Sequence, residues 1–223
     1  MIVKDFKIKD LNLKYFVGIN QIKINLNSII GFNRKDNEEE VLNQLFERIK
    51  EIQDKYQNSV VQFFKDKFIL NEDHIFTACY YLQKAFIKNK NISNKKNIEL
   101  FIYLAANRQI NKSIEGFGID ISDLRKNKLN YCIISPQNIL NDIYLNISSA
   151  FSAEEEVLTL NNQSTNKIKL IKTYFEITDN QINCILKSYG INPNNSDLNL
   201  KYVVSALYDL ICEKMALLYA EGA

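Results

Sequence analysis

A chain of 223 residues, 46% apolar and 24% charged, has the composition of a soluble globular protein, which excludes disordered, collagen-like and disulfide-scaffold classes. Its 28 Lys and Arg against 26 Asp and Glu give a formal +2, so any RNA site is a local patch and not a general coating. The single histidine, His74, removes relays that need a second imidazole. Cys79, Cys132, Cys184 and Cys212, with no C-x-x-C pair, exclude zinc knuckles and redox motifs and read as buried free thiols in a reducing cytoplasm.

In chain order, Ile2, Phe6 and Ile8 and then Phe16, Val17, Ile19, Ile22 and Ile24 alternate with polar residues around a turn near residues 10–12, which predicts a β-hairpin and no signal-peptide core. From Asn37, the spacing of Val41, Leu42, Leu45, Phe46, Ile49 and Ile52 predicts an amphipathic helix with acids in its first turn. Residues 59–64 predict a strand, and Asn71 the cap of a helix whose inner face is Ile75, Ala78, Cys79, Leu82, Ala85 and Phe86. Glu99 to Leu104 is short and apolar after its acid and reads as a buried strand; a brief helix from Asn111 stops at Gly116 and Gly118.

Residues 130–134 predict another strand, and Ser135-Pro136 the cap and first position of a helix reaching about Ser148. Residues 152–163 read as a polar loop. Thr178 to Gln181 has capping-box spacing for a helix closed by Gly190, and the segment 192–196 leads into a last helix reaching about Tyr219. The expected architecture is α+β in a single domain, residues 1–223, with a small central mixed sheet packed by several helices and a long C-terminal helix. No apolar run reaches the ~20 residues of a membrane span.

No glycine-rich nucleotide loop, zinc-protease helix, nucleophile elbow or kinase motif is present, so neither cofactor nor metal is expected. Glu154-Glu155-Glu156 lacks the alternating ligands and central glycine of an EF-hand and reads as a solvated loop. Charge is uneven: between His74 and Ile114 the chain carries Lys84, Lys88, Lys90, Lys95, Lys96, Arg108 and Lys112 against one acid, Glu99. That span is a candidate anion surface, with Phe64, Tyr80 or Tyr81 to stack unpaired bases; the alternative is lysines on a wet helix face and in a loop.

The last helix spreads Val203, Val204, Leu207, Tyr208, Leu210, Ile211, Met215, Leu217 and Leu218 beyond the ~100° stripe of a surface helix. Either its own domain covers it on several sides or a partner does. His74, at a helix start, reads either as a hydrogen-bonded structural residue or as a site residue. Arg108-Gln109 is either aimed outward or serves locally, with Arg108 pairing Glu115 or Gln109 capping the next helix.

The run Glu99-Leu-Phe-Ile-Tyr-Leu-Ala-Ala-Asn-Arg-Gln-Ile110, followed by Ile114-Glu-Gly-Phe-Gly-Ile119, resembles the TPRKB family, the PRPK-binding accessory subunits of the KEOPS (EKC) complex of archaea and eukaryotes. The family hallmark is an acidic residue opening an apolar strand, then Arg-Gln-Ile, then a short helix ending in Phe-Gly-Ile. The similarity is densest over residues 59–135 and 168–219; residues 1–58 agree only in element order, and 148–166 depart.

The resemblance implies a cytoplasmic, non-catalytic subunit that binds the N-lobe of a small atypical kinase/ATPase, which in turn contacts the threonylcarbamoyl transferase subunit. It also implies help in recruiting tRNA, through the single-stranded 3′ CCA end, for threonylcarbamoyladenosine modification beside the anticodon. On that reading, spacing and charge assign Val204, Leu207, Ile211, Met215 and Leu218 to the kinase. They assign His74, Lys84, Lys88, Lys95, Lys96, Arg108 and Lys112 to tRNA. Two other classes stay open: a homodimeric structural protein paired through the last helix, and a stand-alone enzyme with Arg108, Glu99 and His74 around a small pocket.

Overall fold

The alternating N-terminal residues form the hairpin β1 (Ile2–Ile8) and β2 (Leu13–Lys23), closed by a short 3-10 turn at Lys9–Leu11 with Asn12 left-handed at φ 52°. The computed structural model describes residues 1–24, 38–156, 158, 164–193 and 199–221. The expected helix start at Asn37, most of the 157–163 stretch and residues 194–198 therefore lie outside the described residues.

The other elements are α1 (Glu38–Lys55), β3 (Val60–Phe64), α2 (Glu72–Ile87), α3 (Lys96–Ala105), α4 (Ile110–Phe117), α5 (Ile121–Arg125) and β4 (Lys128–Ser135). They continue with α6 (Leu140–Ala150), β5 (Glu154–Glu156), α7 (Thr165–Tyr174), α8 (Asp179–Ser188) and α9 (Leu200–Glu221). The class is α+β, and among the described residues every strand pairing is antiparallel, so what mixes is helix with strand and not strand direction. The order is β1-β2-β4-β3, with β5 pairing the end of β2 that β1 leaves open.

Cα packing divides the chain into two units, each built from two segments: Met1–Lys65 with Gly118–Thr159, and Asp66–Phe117 with Leu160–Ala223. In the first, helices α1, α5 and α6 cover one face of the sheet, where Ile22, Val61, Phe63, Leu129, Tyr131 and Ile133 are buried. Phe63 is the centre of this core, with ring centroids 5.2 Å from Tyr131 and 5.6 Å from Phe151, the latter edge-on as aromatic quadrupoles favour. The free edge of β3 is blunted by Gln53, whose Oε1 accepts from Val61 N at 2.8 Å.

In the second unit, α2 packs on α3 and α9, and α9 also packs on α3 and α8. Asn71 caps α2 as its position predicts, accepting from His74 N at 3.0 Å. Thr178 and Gln181 close a capping box on α8, and Gly190 follows at φ 76°. Gly116 is needed for space: a Cβ there would run into the Tyr174 ring, which stacks on Phe68 at 4.1 Å.

Four expectations are corrected. The segment 99–104 is helix, not strand: α2, α4 and α9 enclose α3, and a helix buried all round shows no 3.6-residue alternation. Left-handed Ala106 ends it, at φ 44°. The helix after Pro136 starts only at Leu140, because Ser135 is still paired with Phe16 and its hydroxyl serves a turn, accepting from Gln137 N at 3.1 Å.

Glu154–Glu156 is an edge strand and not a solvated loop. Lysines oppose it, Lys23 in register with Glu154 and Lys128 in an ion pair with Glu156 at 3.0 Å. Helices α5 and α7 carry no expectation from the sequence at all. Of the thiols, Cys79 and Cys132 are buried, but Cys184 is exposed, since Ile182 and Leu186 on either side of it take the inner face of α8; Cys212 is half-buried.

Candidate partner and nucleic-acid surfaces

In the second unit α9 returns over α2, and this brings together side chains far apart in sequence. Lys84 Nζ lies 4.6 Å from the ring centroid of Tyr219 and 5.5 Å from that of Tyr80, and Lys90 Nζ lies 5.3 Å from Tyr219. Ammonium groups over ring faces at these separations are cation–π pairs. Tyr81 stacks on Tyr103 and approaches Tyr219 to 5.8 Å. Lys88 and Lys95 are exposed at the C-cap of α2 and the N-cap of α3, and Lys96 Nζ sits 5.7 Å from the Phe86 ring. Tyr219 has no local sequence signal for this place; only the return of α9 puts it there. Phe64, expected as a stacking residue, is buried in β3.

The remaining expected basic residues are engaged. Arg108 Nη1 donates to the Glu221 main-chain carbonyl at 3.2 Å, with the Glu221 carboxylate at 3.9 Å, so it pairs with α9 and not with Glu115. Lys112 pairs with Glu176 at 3.2 Å. Gln109 stands just before α4, its carbonyl accepting from Ser113 N at 3.1 Å and its own N–H donating to Asn107 Oδ1 at 2.9 Å.

His74 is corrected as an RNA contact because it is 0% exposed. Leu70 N donates to its Nδ1 at 3.3 Å, and its Nε2 donates to the Leu104 carbonyl at 3.0 Å. Burial holds its pKa down to about 4, opposed by the Leu104 bond and reinforced by Lys167. Glu99 is also wholly buried and accepts from the Ile92 and Ser93 amides. Burial pushes its carboxyl above the usual range against those amide bonds. With His74 and Glu99 both inside on main-chain partners, the Arg108–Glu99–His74 pocket expected for an enzyme is not assembled.

Val204, Leu207, Ile211, Met215 and Leu218, expected on a kinase, are buried in their own unit. The breadth of apolar residues on α9 is explained by α2, α3 and α8 packing on different sides of it, so these residues present no outer face to a kinase or a second copy. The large apolar residues that α9 exposes are Leu200 and Tyr202 in its first turn and Leu217, 53% accessible, which with Lys214 and residues 106–109 lines a shallow groove. Ile110 and Ile114, one turn apart on α4, are exposed as well.

Among the described residues no helix is long and apolar enough to cross a membrane, and no three His, Cys, Asp or Glu side chains gather as metal ligands. The family model of the kinase binding protein CGI-121 matches residues 32–219. The chain belongs to the CGI-121 family. No curated protein matches the sequence. CGI-121 proteins are kinase-binding accessory proteins, the same TPRKB/KEOPS group to which residues 99–119 point. The CGI-121 match runs through both units and leaves out residues 1–31, which include the β1–β2 hairpin, and residues 220–223.

Proposed function

We propose that this protein is the accessory subunit of a KEOPS complex that binds the N-lobe of the small atypical kinase/ATPase and helps hold tRNA by its single-stranded 3′ CCA end. It serves threonylcarbamoyladenosine formation in the cytoplasm without catalysing a step itself. Membership of the CGI-121 family carries the kinase half of this reading. The convergence of Lys84 and Lys90 on Tyr219 supports the RNA half: phosphate oxygens meet ammonium groups beside tyrosine rings on which an unpaired base stacks. Lys88, Lys95 and Lys96 extend that surface, while Arg108 and Lys112, tied to acids, contribute less to it.

The kinase docks on the exposed apolar residues Leu217, Ile110 and Ile114, with Arg108 and Lys214 at their rim. Leu217→Glu is expected to keep the fold and to weaken kinase binding by roughly a hundredfold in a titration with purified kinase; unchanged affinity places the interface elsewhere. Labelled tRNA lacking the unpaired 3′ nucleotides is expected to bind much more weakly than intact tRNA, and both less at higher salt. Equal binding of the two forms points to recognition of the duplex by shape.

A further inference from the structure

The loop between α2 and α3, residues 88–95, carries Lys88, Lys90 and Lys95, and its path depends on one carboxylate. Glu99 Oε2 accepts from Ser93 N at 2.7 Å and from Ile92 N at 3.0 Å, and Oε1 accepts from Ile92 N at 3.1 Å. Ser93 gathers the rest of the loop: its carbonyl accepts from Asn91 Nδ2 at 3.1 Å and its Oγ from Lys95 N at 3.2 Å. On the other side, Lys90 N returns to the Ala85 carbonyl at 2.9 Å through left-handed Asn89.

A buried carboxylate amid five lysines in sequence is expected to draw an ammonium group. Here the main-chain amides of Ile92 and Ser93 meet the carboxylate. Lys90 and Lys95 are thereby carried on a loop whose path is already set by main-chain bonds. Ordering a loop in advance removes a cost from binding.

We propose that Glu99 is a positioning residue of the RNA surface: its carboxylate, clamped to the Ile92 and Ser93 amides, fixes the loop that presents Lys90 and Lys95 to phosphate, without touching RNA itself. This rests on the tRNA reading above. It runs against simple charge counting, by which removing a negative group from beneath lysines tightens RNA binding.

The test is labelled-tRNA titration at two salt concentrations with Glu99→Gln and, separately, Lys84→Glu/Lys90→Glu. A glutamine of nearly the same shape offers one acceptor oxygen and turns an NH2 group toward the amides. We expect about tenfold weaker binding for Glu99→Gln. The slope of log affinity against log salt should be smaller by about one, a change that partial unfolding alone does not produce. Kinase binding should be unchanged.

If Lys84→Glu/Lys90→Glu binds tRNA like the original protein, the tRNA reading itself fails. If that variant loses binding while Glu99→Gln binds equally or more tightly, the role of Glu99 is overturned. Should Glu99→Gln not fold, Ser93→Pro removes the strongest of the donors from the loop side and keeps the carboxylate; the same loss is expected, and full tRNA affinity there overturns the proposal.

Discussion

The imidazole of His74 is fixed as one neutral tautomer, Nδ1 accepting from Leu70 and Nε2 donating to Leu104. Its folded pKa of about 4 lies below the ordinary 6.5, so an unfolded chain binds the proton first. The stabilisation is present above about pH 6.5 and is lost as pH falls through about 4, amounting to about 3 kcal/mol across that window. Thermal melting between pH 7 and pH 4 should therefore fall more steeply for the original protein than for His74→Gln; parallel curves would remove this role from His74. Glu99 works in the opposite sense: with its folded pKa raised, its contribution is present in acid and lost as pH rises through the folded value. The sequence leaves a lone histidine at a helix start open between a structural and a site role, because the carbonyl that decides it is 30 residues away, in the last turn of α3.

At the scale of elements, capping chemistry is legible at three helix ends, though not at Ser135, and burial on all sides is not. Asn71, Thr178 and Gly190 mark their helix ends because a side-chain oxygen or a left-handed glycine acts on the nearest few amides. Helix α3 defeats periodicity because each of its faces meets a neighbour, and α9 does the same, which is why its apolar breadth reads equally well as a docking face. The structure decides between those readings. Ile211→Glu places a carboxylate at a site that is 0% exposed and should cost more than about 3 kcal/mol, enough to unfold the unit, seen as loss of a cooperative far-ultraviolet melt. An unaltered melt would mean that α9 swings out from α2. The candidate RNA surface was half legible: the lysines stand in one stretch of sequence, whereas Tyr219 reaches them only through tertiary packing.

At the scale of the whole molecule, the chain passes between its two units after Lys65, Phe117 and Thr159. The passages after Lys65 and Phe117 lie beside ordered elements with no long glycine-rich or polar linker, so composition offers no boundary there, whereas the passage after Thr159 falls in the stretch read from sequence as a polar loop. The CGI-121 match spans all three crossings, as it must if both units belong to one functional body of sequence. The order of synthesis gives this threading a cost in time. Helices α2 and α3 pack under α9, with Thr77 bonded to Tyr208 and Tyr81 against Tyr219, and the first residue of α9 follows Ile87 by more than a hundred positions. At ribosomal speeds of roughly 5–20 residues per second, the faces that α9 covers stay bare for roughly five to twenty seconds while the chain is being made. The second unit thus closes only when its last helix emerges, and it is during that interval, more than in the finished fold, that this protein needs shielding from aggregation.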